Sequence, residues 1–341
     1  MSSIDVSLGR SAWRWAKSNY PWTNVYGLAR TGLALGTALT LIFNTSAVLF
    51  RPASGVPDCP YCKDIGSFSL FCLFPEHLEM VRAICIFVLV IVASGWRPRY
   101  TAFFHWWVAF SLQISAITLD GGDQVTAVLT FLILPIALTD SRKWHWQSIR
   151  FVPDANMLEI LRRLTALTTF GVIRLQVAII YFHAFVGKLN VDDWVNGTVL
   201  YYWFTEPTIG LPTWLSNFNP LLTTRFVVLL TWATLLLEAA LFMALIMPKK
   251  ARKYCLVAGI LFHFLIALTM GLVSFAIAMF AALILYLRPF DEEFRLSFLP
   301  RFPKAFRSCD MQSVENLYAE EMHNSLKPMI FVESESDRPK V

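Results

Sequence analysis

The stretch "RLQVAIIYFHAFVGKLNVDDWVNG" runs from Arg174 to Gly197, and its character changes within a few residues. Its first part is apolar enough for a membrane-spanning helix, whereas its last part is a polar loop. Lys188 lies at the junction between the two. A lysine at a helix end often lays its stem along lipid and its ammonium group in water. The alternative is that Lys188 faces the helical bundle as a functional group.

The composition places the chain in a membrane. Of its 341 residues, 56% are hydrophobic and only 16% are charged, whereas soluble domains carry about 25% charged residues. The net charge of +5 comes from basic residues that lie between apolar runs, a pattern typical of membrane topology. We therefore expect a lipid bilayer, and no nucleic acid, as a partner. The first twenty residues lack a signal-peptide pattern, so the first span should act as its own insertion signal.

We predict an all-α integral membrane protein, a polytopic bundle of about eight transmembrane helices. The predicted spans lie near residues 26–50, 78–96, 102–119, 124–139, 168–188, 223–247, 255–273 and 274–290. Residues 154–165 are predicted to form a separate, short amphipathic helix at the membrane interface.

Clusters of basic residues alternate along the chain and predict its orientation. The positive-inside rule places them, and both termini, in the cytoplasm. The loops 51–77, 120–123 and 189–222 would then lie outside. The predicted organisation is a cytoplasmic segment over 1–23, a transmembrane domain over 24–290 and a polar cytoplasmic tail over 291–341.

A polar stripe on the fifth span suggests that it faces other helices. Lys188 follows Tyr181 by seven residues and Arg174 by fourteen, so the three side chains share one helix face. A stripe of these residue types is a poor match for lipid, which favours contact with the bundle.

Arg174 should need an acidic partner, because it lies about 21 Å deeper than Lys188. The next span begins near Thr223 and carries Glu238 about 22 Å from the same surface. We therefore predict an Arg174–Glu238 pair, with His263 at a similar depth. Such a pair can have a purely structural role, holding the helices in register.

The outer loops supply candidates for a site around the lysine. We expect Asp120, Asp123, Asp193 and Trp194 to close over Lys188. Carboxylates keep a neighbouring lysine protonated, whereas burial favours the neutral amine that a general base requires. The sequence leaves both outcomes open.

The pattern R-x-Q-x₄-Y-F-x-A-x₃-K-L followed by D-W-V-x-G resembles a segment of the vitamin K-dependent γ-carboxylases and of the wider HTTM (horizontally transferred transmembrane) family. Weaker matches follow at Glu238, Phe262–His263 and Phe275. The resemblance spans roughly residues 20–290 and implies an HTTM-like membrane core. The residues of the main match are Arg174, Gln176, Tyr181, Phe182, Ala184, Lys188, Leu189, Asp193, Trp194, Val195 and Gly197.

A second set of motifs resembles the subfamily that includes the membrane protein encoded beside the sporulation-delaying cannibalism toxin of bacilli. These motifs are YPWTNVYGLAR (20–30), SLFCLF (69–74), SGWRPR (94–99), HWW (105–107), DGGDQ (120–124) and LTDSRKWHW (138–146). The resemblance implies a role in producing a secreted toxin peptide from its precursor. It also implies a small partner protein encoded nearby.

In the carboxylases, the lysine of this motif is the base that activates vitamin K hydroquinone. The resemblance gives Lys188 the same candidacy and implies a reduced quinone as cofactor. Two departures argue against true carboxylation. Gly187 replaces the first of two adjacent lysines, and the catalytic-site histidine aligns near Asp123 or Gln124. Altered chemistry in a retained core fits these departures better.

Three cysteines, Cys59, Cys62 and Cys72, lie in the first predicted outer loop, where disulfides are allowed. They permit one bridge, which would clamp the loop. The alternative is that Cys59 and Cys62, in the sequence CPYC, exchange disulfides with a cysteine-containing peptide precursor. We expect no metal site, because His105 and His183 are poorly placed to join these cysteines around zinc.

Three functions are compatible with these patterns. The first is a membrane factor for maturation of a secreted toxin peptide, with Lys188 as the candidate catalytic group of an enzyme acting at the outer face. The second is a non-enzymatic immunity or export component. The third is a quinone- or lipid-binding membrane protein without a peptide substrate.

Overall fold

Helices make up nearly all the regular structure of the computed structural model. It describes residues 3–52, 55, 59–117, 119–147, 155–207 and 210–294, and within them one isolated β-bridge joins Trp96 and Trp144. The long helices in this part of the chain are α1 (Ser3–Ser18), α2 (Asn24–Phe43), α3 (Leu78–Ser94), α4 (Pro98–Ser115), α5 (Gly121–Thr139), α6 (Met157–Leu189), α7 (Arg225–Met243), α8 (Lys249–Met270) and α9 (Val273–Leu287). Of the predicted polar tail, residues 295–341 lie outside the described residues.

Helices α2 to α9 each overlap one of the eight predicted spans, and six of them are long and apolar enough to cross a bilayer. Helix α9 is apolar but has only 15 residues, and α4 is not among the six. Helix α4 begins with Arg99 in its first turn and carries His105 and Gln113. The chain is therefore a multi-pass membrane protein, and eight crossings stay a prediction.

The first predicted span, residues 26–50, is wrong in its extent. Helix α2 ends at Phe43, where Asn44 adopts an extended conformation and its side-chain amide donates to the Thr40 carbonyl at 2.9 Å. This local hydrogen bond competes with helix continuation. The chain then forms a separate short helix, Ser46–Leu49.

The predicted interfacial helix over 154–165 is also wrong as a separate element. From Met157 the chain forms one continuous helix of 33 residues, whose first turn is capped by the Asn156 side chain accepting from the Glu159 amide. A helix of that length is about 50 Å long, whereas the hydrocarbon core is about 30 Å thick. The amphipathic residues are therefore turns of α6 that can extend beyond the core.

The other helical turns occupy the connections. Four lie between α2 and α3, at Ser46–Leu49, Asp64–Phe68, Leu70–Leu73 and Pro75–His77. Four more lie between α6 and α7, at Asp192–Val195, Val199–Thr205, Thr213–Phe218 and Asn219–Leu222.

Small residues allow α2 and α9 to pack closely at the centre of the bundle. A Cβ added to Gly32 would lie 3.4 Å from the Ala281 Cβ, and one added to Gly36 would lie 3.5 Å from the Ser274 carbonyl oxygen. Ala278 on α9 is also buried. Apolar surface gives little driving force for helix association in lipid, so close van der Waals contact between small residues is what stabilises such a pair.

The connection after α5 ties together the adjacent ends of α2, α3 and α5. Asp140 is buried, accepts a hydrogen bond from Tyr26 at 2.8 Å, and forms an ion pair with Arg142 at 2.8 Å. The Trp146 indole donates to the Ser94 carbonyl at 2.9 Å. Burial, reinforced by the nearby arginines, lowers the pKa of His145 well below its ordinary value, so this imidazole is neutral at pH 7.

Replacing Asp140 by asparagine removes the carboxylate that Arg142 and Tyr26 share. The Arg142 guanidinium would then be buried without a counter-charge, so we expect the free energy of unfolding to fall by about 3 kcal/mol. Glu79→Gln is the control, because the Arg82–Glu79 pair is more exposed and should contribute no more than about 1 kcal/mol. Unfolding of the proteins in one detergent measures both effects, and equal losses would contradict the role given to Asp140.

Candidate functional site

Lys188 forms a partly buried ion pair with Glu238. The Lys188 Nζ atom donates to the two carboxylate oxygens of Glu238 at 2.7 and 3.0 Å. The lysine side chain is 20% exposed and the glutamate side chain 6%. Lys188 therefore contacts the bundle, and its charge is balanced by an acid on the neighbouring helix α7.

The predicted Arg174–Glu238 pair is not formed. That prediction assumed that the end of α6 and the beginning of α7 lie at the same depth. Instead, the first turns of α7 extend past the end of α6 and pack against the connection between them. Trp194, Val199 and Leu200 of that connection share an apolar cluster with Val227 of α7. Glu238 consequently lies at the depth of Lys188, near the end of α6, and not at the depth of Arg174.

The short helix Asp192–Val195 covers the lysine. The Lys188 Nζ atom lies 5.1 Å from the centre of the Trp194 ring, a cation–π distance, and Trp194 is itself buried. Gly197 makes this docking possible. Its φ of +80° favours glycine, and an added Cβ would lie 2.7 Å from a Val228 methyl group.

Asp193 does not supply the negative charge for Lys188. Its side chain is exposed and accepts a hydrogen bond from the Thr198 hydroxyl at 3.3 Å. The interaction stabilises the turn after the short helix. Of the two residues predicted from this connection, Trp194 contacts the lysine, whereas Asp193 forms a hydrogen bond within the loop.

A second hydrogen-bonded pair lies beside the first. The Tyr181 hydroxyl and His263 Nε2 are 3.0 Å apart, and both side chains are buried. Tyr181 lies within electrostatic range of Glu238, and His263 within that of Lys188. The Nδ1 atom of His263 is buried and has no hydrogen-bond partner among the described residues.

Asp120 and Asp123 do not close over Lys188, which corrects their predicted place. Asp120 caps α5 by accepting from the Gly122 amide at 2.7 Å, and it also accepts from the Ser274 hydroxyl at 2.7 Å. Asp123 is buried and accepts from Thr40 at 3.4 Å. The two carboxylates therefore contact α2 and α9.

Phe275 lies between these aspartates and the histidine. Its ring centre is 5.4 Å from that of His263. On its other side, a Cβ added to Gly122 would lie 2.5 Å from the Phe275 Cα, so the backbones of α5 and α9 are in close contact. In the sequence, Phe275 stands out only as a family match, and no pattern marks Ser274 as the partner of Asp120.

The four polar side chains Lys188, Glu238, Tyr181 and His263 can donate, accept and exchange protons in a setting with little water. The part of the chain that the structure describes contains no group of three His, Cys, Asp or Glu residues that could hold a metal ion. The amine, carboxylate, phenol and imidazole of this site support proton transfer or hydrogen bonding to a bound molecule.

The cysteines of the first long connection contain a bridge between Cys62 and Cys72. Their Cα atoms are 5.5 Å apart. The Cys72 amide donates to the Ser69 carbonyl at 3.0 Å, in the turn that follows Ser69. The bridge joins the segment before Asp64 to the short helix Leu70–Leu73. The CPYC pair Cys59–Cys62 is therefore not the disulfide.

This pairing predicts a simple labelling pattern. With Cys59→Ser, we expect reduction to expose two additional thiols to alkylation, because the Cys62–Cys72 bridge is retained. With Cys62→Ser or Cys72→Ser, the bridge cannot form, and reduction should expose none from this pair. Mass spectrometry of the alkylated protein measures the count, and a Cys59→Ser protein without a reducible bridge would contradict the pairing.

The ion pair predicts non-additive effects on stability. Glu238→Gln leaves Lys188 partly buried without a counter-charge, and Lys188→Met leaves Glu238 buried without one. Each variant should therefore lower the free energy of unfolding by about 3 kcal/mol. The double variant should cost clearly less than the sum. Unfolding of the four proteins in one detergent gives the coupling. Additive losses would show that the two charges do not interact.

Comparison with known proteins identifies relatives across most of the chain. It is 45% identical over 292 residues to the uncharacterized protein YitO of Bacillus subtilis, which covers 84% of this chain and 92% of the relative. It is 38% identical over 281 residues to the sporulation-delaying protein SdpB of the same organism, covering 81% of this chain and 85% of the relative.

No protein-family model matches the chain, and no solved structure matches it. The two relatives are nevertheless 45% and 38% identical to it over more than four-fifths of the chain. The multi-pass membrane protein described above therefore belongs to the family of SdpB and YitO.

Proposed function

We propose that this protein is a membrane factor for the production of a secreted toxin peptide, and that it acts through Lys188 and its surroundings. The observation that carries the proposal is the Lys188–Glu238 ion pair, which lies beside the Tyr181–His263 pair within a bundle of apolar helices. Membership of the SdpB family supports the biological setting. Charged groups inside a membrane bundle are costly, so their presence favours a functional site.

The proposal includes an orientation. Basic residues concentrate at the connections on the side opposite Lys188, among them Arg142, Lys143, Lys249 and Lys250. The positive-inside rule would place those connections and both termini in the cytoplasm, and Lys188 at the outer face. Helices α2 to α9 would then make eight crossings, in a core of the HTTM type that the Arg174–Gly197 motif suggests.

The proposed chemistry is proton transfer at the Lys188 amine. The short distance between Nζ and the Glu238 carboxylate allows a proton to pass from the ammonium group to the carboxylate. The products are a neutral amine, which can accept a proton from a substrate, and a neutral carboxylic acid. Trp194 covers the amine and excludes water from one side. Tyr181 and His263 would hold the substrate group or pass the proton on.

The proposed partners are the peptide precursor and a small protein encoded nearby. The connection between α6 and α7, which supplies Trp194 to the site, also carries exposed aromatic side chains, including Tyr202, which is 54% exposed, and Trp214, which is 60% exposed. Such side chains can contact an apolar peptide at the membrane surface. When no peptide is bound, the same aromatic side chains would lie in the membrane–water interface.

A second candidate function is binding of a reduced quinone at the same place. The buried Nδ1 atom of His263 has no partner among the described residues, and it could hydrogen-bond to a quinone oxygen beside the Lys188 amine. The residues thus fit the cofactor that the family resemblance implies. When bound, a reduced quinone would supply redox chemistry. A lipid extract of the purified protein, analysed by mass spectrometry, would show whether a quinone is retained by the native protein and lost on His263→Phe.

The third possibility, a non-enzymatic immunity or export component, is separated from the first by the product. The mass of the secreted peptide should differ between cells that contain this protein and cells that lack it, with the precursor and the partner protein present in both. Identical masses would contradict an enzymatic role and leave export or protection.

Substitution of the lysine tests its role as a base. Lys188→Arg keeps the positive charge and the ion pair, but arginine cannot serve as a base at neutral pH. We expect the yield of modified peptide to fall by about a hundredfold or more. Lys63→Arg is the matched control, because Lys63 lies exposed in another connection of the same proposed face. Equal yields from the two variants would contradict a catalytic role for Lys188.

A further inference from the structure

Arg174 is left without an acidic partner by the pairing of Lys188 with Glu238. Its Nε atom is buried and has no hydrogen-bond partner among the described residues. The charged and polar groups within its electrostatic range are Arg252 and Tyr286, neither of which carries a negative charge at neutral pH. A cation within an apolar helix requires a counter-charge, so the balancing group must come from elsewhere.

Arg252 has the same deficit. It belongs to the first turn of α8, and its Nε atom is also buried without a partner in the described part of the chain. The Tyr286 hydroxyl between the two arginines is already used, since it donates to the Leu241 carbonyl at 2.9 Å. Glu292, which follows α9, forms an ion pair with Lys253 of α8 at 3.6 Å.

Arg174, Arg252 and Tyr286 lie near one another where three helices meet, and this junction is called the cleft below. Arg174 comes from α6, Arg252 from α8 and Tyr286 from α9, and the side chains of both arginines are half-exposed. Lys249 and Lys250, which are exposed, precede Arg252 on the same helix end. The cleft therefore contains two guanidinium groups without a counter-charge among the described residues.

The depth of the cleft suits a lipid headgroup. Arg252 lies at the beginning of α8, where a membrane helix meets the interface, and the long side chain of Arg174 can extend toward the same level. Guanidinium groups bind phosphate oxygens through paired hydrogen bonds, and basic clefts between membrane helices bind anionic headgroups. A carboxylate from this chain does not reach the cleft among the described residues.

We propose that Arg174 and Arg252 together bind the phosphate group of an anionic phospholipid in the cleft between α6, α8 and α9. The bound lipid supplies the negative charge that Glu238 does not, and it fixes the beginning of α8 against the end of α9. The site lies apart from the Lys188–Glu238 pair, and its existence does not depend on the function proposed for that pair.

The test uses the full-length protein purified in detergent and titrated with phosphatidylglycerol or, at equal chain length, phosphatidylcholine. Native mass spectrometry counts the lipid retained. We expect the wild-type protein to retain one phosphatidylglycerol at concentrations where phosphatidylcholine is lost. Arg174→Gln and Arg252→Gln should each weaken this retention about tenfold, which corresponds to the loss of one charged contact.

Lys250→Gln is the matched control, since it removes an exposed charge from the same helix end and should change retention less than twofold. Arg174→Lys and Arg252→Lys serve if a glutamine variant does not fold, because they keep the charge and lose the paired hydrogen bonds. Equal retention of the two lipids by the wild-type protein, or an equal effect of Lys250→Gln, would overturn the proposal. Binding of inorganic phosphate in place of the lipid, at similar concentration, would overturn the assignment to a lipid.

Discussion

The ion pair between Lys188 and Glu238 fixes how the second half of the bundle is arranged. A carboxylate inside apolar helices must meet a cation, and the only distance that satisfies Glu238 in the described structure is the one to Lys188. That requirement determines the depth of α7 relative to α6. Because α7 must extend past the end of α6 to bring Glu238 level with Lys188, its first turns need something to pack against. The connection with Trp194 and Leu200 provides it.

The same arrangement gives the proposed site its shape. The connection folds back over the lysine because Trp194 contacts the ammonium group and Gly197 permits close approach to α7. On the inner side of the pair, Tyr181 reaches from α6 to His263 on α8, and Phe275 separates that histidine from Asp120. The polar groups near Phe275 thus fall into two sets. Asp120 and Asp123 stabilise contacts among α2, α5 and α9, whereas the lysine set combines a cation, a carboxylate, a phenol and an imidazole.

The sequence predicted the helices well because apolar runs of sufficient length have few alternatives in a membrane. It also predicted that Tyr181 shares a helix face with Lys188 and that Trp194 covers the lysine, whereas it placed His263 at the depth of Arg174. It failed where depth or tertiary contact decides. Arg174 and Glu238 had matching distances from a surface only if both helices began there, and a connection of more than thirty residues hides that offset. The break at Asn44 and the choice of Cys72 as the partner of Cys62 likewise depend on contacts that spacing does not encode.

The distribution of unbalanced charge separates the two ends of the bundle. At the Lys188 end of α6, the lysine is paired with the Glu238 carboxylate. This site is therefore close to neutral and can hold a proton in more than one place. Toward the opposite end, the buried Nε atoms of Arg174 and Arg252 have no hydrogen-bond partner in the described structure. A neutral site can bind an apolar or uncharged group without expelling its own counter-charge, whereas a net positive cleft must attract an anion. The proposed reactive site and the proposed site for an anionic lipid therefore lie toward opposite ends of the bundle.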